Sequence, residues 1–479
     1  MAITGTSGND NLVGTPGDDW IDGGPGGDRM AGGAGNDVYV VDSAYDKVIE
    51  EPGEGTDLVR SSVRYTLPSG VENLTLLGEE ELKGTGNELH NRIKGNIASN
   101  RLFGLAGQDT VFGGGGDDIL VGGMGNDYLD GGDGSDWAYY TGVNQLFVDL
   151  AAGFSQGFEG GSTGDTLVSI ENVLGSSQND VIYGNDVGNR LLGDDGDDYL
   201  WGRGGQDFLD GGAGSDTIEY RETAALKLTL SDSGGGTVYV GGAVKDTVRG
   251  IENVKSGDGA DRIFGGAAAN EIWGGGGDDL LRGYAGDDVI VTGAGNDHAD
   301  GGDGSDWVSF VWGPSGNLHV TLGGANNWTN VVGAGGEVDK IVNFENVHGG
   351  GGNDTIIGNN AANMLYGYSG DDQLTGGGGA DTFLFHLENG GVDTIVDFSS
   401  ADDTIHADFL PSGPLGASAF VVGTEATTAD HRIIYDQTSG AIYFDADGNG
   451  EAEMRLFAYV TPGTELTNLD FVGGSLPIP

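Results

Sequence analysis

Cysteine is absent from this 479-residue chain, which rules out disulfide frameworks and thiolate metal sites. Stability must come from packing or from ions held by oxygen. Proline is scarce at 10 residues and glycine follows no three-residue period, so a collagen-like helix is excluded. Basic residues are few: 20 Lys and Arg stand against 75 Asp and Glu, a formal charge of −55. Such a chain repels phosphate backbones and anionic headgroups, so no nucleic-acid partner is expected. No apolar run approaches the roughly 18 residues of a transmembrane helix, and no transmembrane segment is expected. The opening "MAITGTSGND" has no basic region followed by an apolar stretch, so an ordinary signal peptide is not expected either. None of the seven histidines (90, 298, 319, 348, 386, 406 and 431) forms H-E-x-x-H, so the zinc-protease motif is missing.

Glycine, by contrast, is abundant at 97 residues, while 17 Phe, 16 Tyr and 7 Trp remain available for burial, which argues against disorder. The stretch "GGGGDDILVGGMGNDYLDGGDGSD", from Gly113 to Asp136, shows how the two are arranged. Reading from Gly104 gives "GLAGQDTVF", "GGGGDDILV", "GGMGNDYLD" and "GGDGSDWAY", each a nonapeptide G-G-x-G-x-D-x-U-x with U apolar. This pattern resembles the calcium-binding repeat of RTX proteins, the hemolysin-type repeat.

Physical reasons for the pattern can be given position by position. Six residues make a turn, where glycine serves positive φ or a crowded backbone. Three make a short strand whose position-8 side chain points inward. Two nonapeptides complete one coil of a parallel β-roll, so turns 18 residues apart stack and their position-6 aspartates face one another. Calcium takes six to eight oxygens, and stacked turns offer carboxylates together with carbonyls.

Five runs keep this register. The first carries Asp10, Asp19, Asp28 and Asp37; the second Asp109, Asp118, Asp127 and Asp136, preceded by Asn100. The third has Asp180, Asp198, Asp207 and Asp216, with Asn189 in one slot. The fourth has Asp261, Asp279, Asp288, Asp297 and Asp306, with Asn270 as the exception. The fifth has Asp354, Asp372 and Asp381, with Asn363. The aspartates are the candidate ligands of multiple calcium ions. Asparagine offers one neutral oxygen, so its turns are expected to bind weakly or stay empty.

The expected fold is therefore all-β: calcium-bound parallel β-rolls in five blocks, separated by β-rich spacers and closed by a C-terminal β cap. The blocks fall at 1–40, 95–140, 175–219, 256–309 and 349–382. Spacers occupy 41–94, 141–174, 220–255 and 310–348, and the cap with a secretion domain 383–479. Three spacers are alike: "LFVDL", "LKLTL" and "LHVTL" lead to "DTLVSIENV", "DTVRGIENV" and "DKIVNFENV". Their alternation marks half-buried strands, expected to cover the open edges of the rolls. The first spacer is longer and shares only "VENL".

From about Phe383 the glycine register stops, and the segment resembles the cap of type I secreted RTX proteins. Membership implies an uncleaved signal at the extreme C-terminus, the type I secretion machinery as a partner, and an extracellular or cell-surface location. The family often ends in aspartate followed by apolar residues, whereas "DFV" here precedes "GGSLPIP". "DADGNG" matches the first half of an EF-hand loop at Asp445, Asp447 and Asn449, but Leu456 stands where a bidentate Glu belongs. Both a weak calcium site and a plain connecting turn fit it.

No catalytic constellation emerges. "GGSTG", with Ser162 as formal nucleophile, lacks the strand–helix flanks of a nucleophile elbow. The first reading is a secreted calcium-binding protein that folds on extracellular calcium. Its role is structural or adhesive, with cell-surface glycan or matrix as candidate partner, and no enzyme is expected. The second is an RTX enzyme or toxin, a hydrolase acting through the spacers or through an upstream region.

Overall fold

Positions 7 to 9 of the nonapeptides form strands, three residues long in Asn11–Val13, Trp20–Asp22 and Arg29–Ala31 and continued to six in Arg101–Ala106 and Ile119–Met124. The residues between strands turn the chain, with glycine supplying the left-handed conformation at Gly107 (φ 133°) and Gly125 (φ 139°). The computed structural model describes every residue except 143, 158–163, 314–315, 334, 388–390, 451, 477 and 479. Ser162 therefore lies outside the described residues.

Contacts divide the chain into two compact units, 1–219 with 245–251, and 220–244 with 252–479. Both are parallel β-solenoid. In the first, Leu102, Leu120, Ala138, Val173, Leu191, Leu209 and Val248 stand in one column of strand-to-strand register, all buried. In the second, Val254, Ile272, Ile290, Val308, Val347, Leu365, Phe383, Ile405 and Phe471 form such a column. These are the position-8 side chains and their equivalents. Each one buried contributes about 1.5–3 kcal/mol of apolar stabilisation.

The spacers do more than cover edges. Val173 from 141–174 and Val347 from 310–348 occupy places in the columns just named, so these segments are coils of the solenoid. Each of the three like spacers also carries an antiparallel hairpin: Leu146–Asp149 with Phe154–Gly157, Leu226–Thr229 with Gly236–Val240, and His319–Thr321 with Thr329–Val332. The first strand of each hairpin then starts the next ladder, as Phe147↔Val181, Lys227↔Arg262 and His319↔Thr355.

Parallel stacking likewise runs past Phe383. Thr382–Phe385 pairs with Thr404–Ala407, which pairs with Phe471–Gly473. Between them Ile433–Asp436, Ala441–Phe444 and Arg455–Val460 form an antiparallel sheet joined in parallel to Asp393–Ile395. The "DADGNG" segment is the turn between two of these strands. Asp445 Oδ1 accepts the backbone N–H groups of Asp447 (3.2 Å) and Gly448 (2.9 Å), which is how a connecting turn uses aspartate. Among the described residues no helix is long and apolar enough to cross a membrane.

Candidate cation sites along the roll

A carboxylate ladder follows from the 18-residue coil. Oδ1 of Asp118 accepts the backbone N–H of Asn100 (2.6 Å), and the N–H of Asp118 donates to Oδ1 of Asp136 (2.7 Å). The same bond, from the residue 18 earlier, reaches Asp28, Asp37, Asp109, Asp127, Asp198, Asp207, Asp216, Asp279, Asp288, Asp297, Asp306, Asp372 and Asp381, at 2.7–2.9 Å. Where a hairpin precedes the run, a residue at the start of its first strand or just before it donates instead. Leu146 serves Asp180, Leu226 serves Asp261 and Leu318 serves Asp354. Asp10 and Asp19 are held through Oδ2 by the backbone N–H of Thr6 and Thr15, and the amino group of Met1 lies 2.6 Å from Asp19.

The other oxygen of most rungs has no partner. Oδ2 of Asp28, Asp37, Asp109, Asp118, Asp127, Asp136, Asp198, Asp207, Asp261, Asp279, Asp288, Asp297, Asp306 and Asp372 is buried without a hydrogen bond. A buried, unsatisfied carboxylate oxygen is costly, and so many in one register call for a cation. Its surroundings are hollowed for one. A Cβ on Gly113 would lie 2.3 Å from Asp118 Oδ2 and 2.4 Å from the Gly131 carbonyl oxygen. A Cβ on Gly104 would meet Asp109 Oδ2 and the Gly122 carbonyl in the same way. Position 1 is glycine because carboxylate and carbonyl converge there.

Burial governs the acid–base behaviour of these groups. It pushes Asp109 and Asp118 up to about 7, Asp198 to about 8 and Asp279 to about 9. The accepted N–H opposes this rise, and neighbouring carboxylates add to it. Among the described residues no three His, Cys, Asp or Glu side chains gather around one point. An ion here would take much of its shell from main-chain carbonyls, a hard-oxygen set that suits calcium.

The asparagine slots are built differently. Nδ2 of Asn189 donates to the Glu171 carbonyl (2.8 Å), that of Asn270 to Glu252 (2.7 Å) and that of Asn363 to Glu345 (2.7 Å). Nδ2 of Asn100 donates to Asn96 Oδ1 at 3.1 Å. In these turns a side-chain N–H does by hydrogen bonding what a cation would do for a carbonyl.

Further rungs lie outside the five runs. Asp46 keeps the nine-residue spacing beyond Asp37 and accepts the N–H of Asp28 at 2.9 Å. Asp57, Asp165, Asp246, Asp339, Asp393 and Asp403 escape the register and accept the N–H of Asp37, Asp127, Asp207, Asp297, Asp372 and Asp381 at 2.7–3.0 Å. Glu72, Glu171 and Glu345 serve Asp57, Asp136 and Asp306 through Oε2. The signal that locates the spacer members is D-x-U-x without its glycines, as in "DTLV" beginning at Asp165.

A family model of four copies of the RTX calcium-binding nonapeptide repeat matches residues 4–39, 85–120, 103–138, 169–186, 183–218, 246–281, 255–290, 282–313 and 348–383, about half of the chain. The chain belongs to the RTX family. Calcium is accordingly the cation of the roll. Among curated proteins, Endo-1,3-1,4-beta-glycanase ExsH of Rhizobium meliloti (strain 1021) is 40% identical over 58 residues, 12% of each chain. Among solved structures, the extracellular lipase LipA from Serratia marcescens matches over 63% of this chain at 17% identity, with a TM-score of 0.18. The match covers only 39% of the lipase chain.

Proposed function

We propose that this RTX protein is secreted and folds on extracellular calcium to serve as a structural or adhesive component of a cell surface or matrix. The supporting observation is the row of buried Oδ2 atoms without partners, because it makes the folded state conditional on a cation. Calcium supplies positive charge and empty coordination positions between stacked turns. The protein supplies paired carboxylates, a glycine cradle and a ladder that holds each carboxylate by its other oxygen. A chain of charge −55 stays expanded where calcium is scarce and condenses where it is plentiful. That suits export in an unfolded state through a type I channel.

The ladder occupies the repeats and the spacer coils alike, and in this reading the chain carries no catalysis. The stretch shared with a glycanase favours glycans as ligands to test first. Calcium titration followed by circular dichroism tests the folding step, and a β spectrum in excess chelator at pH 8 would overturn it. A screen of β-glucans and cell-surface glycans, scored for both binding and cleavage, separates the adhesive role from a hydrolase. Chelating external calcium should slow secretion, and unchanged export would remove the coupling of folding to location.

A further inference from the structure

Each run of nonapeptides that ends at a spacer leaves its last aspartate without a following nonapeptide to complete the site. Asp136 and Asp306 are such residues, both fully buried, each with Oδ2 unpartnered. The space beside them is nevertheless enclosed as in an ordinary turn. A Cβ on Gly131 would lie 2.2 Å from the Ser169 carbonyl oxygen and 2.4 Å from Asp136 Oδ2. A Cβ on Gly301 would lie 2.2 Å from the Asn343 carbonyl oxygen and 2.7 Å from Asp306 Oδ2. Gly113 is crowded in this way by Asp118 and by the carbonyl of the next coil's glycine, so Ser169 and Asn343 stand in for that glycine.

Both residues are in the left-handed conformation, Ser169 at φ 48° and Asn343 at φ 56°. The equivalent spacer residue Gly250 has φ 55°, and its carbonyl oxygen lies 2.3 Å from a Cβ placed on Gly211. Left-handed backbone is uncommon for residues other than glycine. Its recurrence at one place in three spacers has a common effect, which is to turn a carbonyl into the cradle. Two residues later comes a glutamate. Glu171 Oε2 accepts the Asp136 N–H (2.9 Å) and Glu345 Oε2 that of Asp306 (3.0 Å), taking the rung that aspartate takes elsewhere.

We propose that the spacer motif, carbonyl in left-handed backbone followed two residues on by glutamate, closes a calcium site on Asp136 and another on Asp306. The ligands assigned are Asp136 Oδ2, the Ser169 carbonyl and the Glu171 carboxylate in one, and Asp306 Oδ2, the Asn343 carbonyl and the Glu345 carboxylate in the other. Water completes a shell of six to eight oxygens. These sites pin the two spacers that hold Glu171 and Glu345 to the coil before each, and they rest on the calcium-binding reading given above.

The test uses the full chain, calcium alone as probe, and equilibrium dialysis with circular dichroism. Glu171→Gln keeps the shape and an oxygen for the Asp136 N–H but removes the charge. It should lower bound calcium by one ion per chain at concentrations that fill the wild type, and E171Q/E345Q should lower it by two. Ser169→Gly retains the carbonyl and relieves the backbone, so stoichiometry should not change. Folded E171Q and E345Q with wild-type stoichiometry and affinity would overturn the proposal. Loss of all calcium-dependent folding in E171Q would do the same, since one ion among many is at stake. A wild-type chain that binds no calcium would instead overturn the reading on which it rests.

Discussion

The backbone N–H of Asp109 donates to Oδ1 of Asp127 at 2.7 Å, one coil further along the chain. Most rungs therefore fix the backbone of a neighbour with one carboxylate oxygen and leave the other free for an ion. Structural and ligating roles are divided between two atoms of one side chain, and substitution can separate them.

Asp118→Ala removes both. The ion shared with Asp136 should be lost, while sites on the opposite face, at Asp109 and Asp127, keep theirs. Asp118→Asn keeps an acceptor for the Asn100 N–H and removes only the charge. It should lose the ion with a smaller loss of stability, the difference being about 1–3 kcal/mol for an unmade charged hydrogen bond. Glu79→Ala, at an exposed position, should leave stoichiometry unchanged. Equal loss of calcium in the Asp118 and Glu79 variants would contradict the ladder.

The glycine cradle gives a sharper contrast. Gly113→Ala places a methyl group 2.3 Å from Asp118 Oδ2, whose carboxylate is tied by the Asn100 N–H, and 2.4 Å from a main-chain oxygen. Calcium-loaded stability should fall by about 1–3 kcal/mol or more, as for overpacking, and the folding midpoint should shift to higher calcium. Gly17→Ala meets nothing within 4 Å and should change the midpoint little. Urea melts in calcium compare the two, and equal midpoints would remove the steric reason for glycine at position 1.

Asn189→Asp tests the turns closed by amides. It replaces the N–H that satisfies the Glu171 carbonyl with a second oxygen. The calcium-free fold should weaken by about 1–3 kcal/mol through the unsatisfied carbonyl. In calcium the variant should gain an ion. A variant with unchanged stoichiometry and unchanged calcium dependence would show that Asn189 and aspartate are interchangeable there.

Much of this design is legible in the sequence. The nonapeptide register locates Asp109 to Asp136 and the other runs, because every coil has the same length and the same apolar position 8. It does not locate Asp165, Asp246 or Asp339. Their partners lie 38, 39 and 42 residues earlier, since a hairpin of variable length is looped out between the two coils. The glycine half of the repeat is lost there, and only the D-x-U-x strand remains. Left-handed Ser169 and Asn343 are equally hidden, for neither residue type demands that conformation.

Acid should substitute for calcium in part. Burial raises the ladder carboxylates in the calcium-free fold, Asp109 and Asp118 to about 7, Asp198 to about 8 and Asp279 to about 9, against roughly 3.9 in an unfolded chain. Between these limits the folded state binds more protons than the unfolded one. The stabilisation is complete below about pH 4 and is lost as pH rises through 7 to 9. In excess chelator the β signal should therefore be stronger at pH 5 than at pH 8. With calcium present the sign reverses, because the ion needs the carboxylates ionised. Affinity should rise with pH, and binding near pH 7 should release protons to solution. Circular dichroism in chelator and potentiometric titration on calcium addition measure the two halves. A chelated chain equally unfolded at pH 5 and pH 8, with no proton release on binding, would show that the ladder is not desolvated in the way its burial requires.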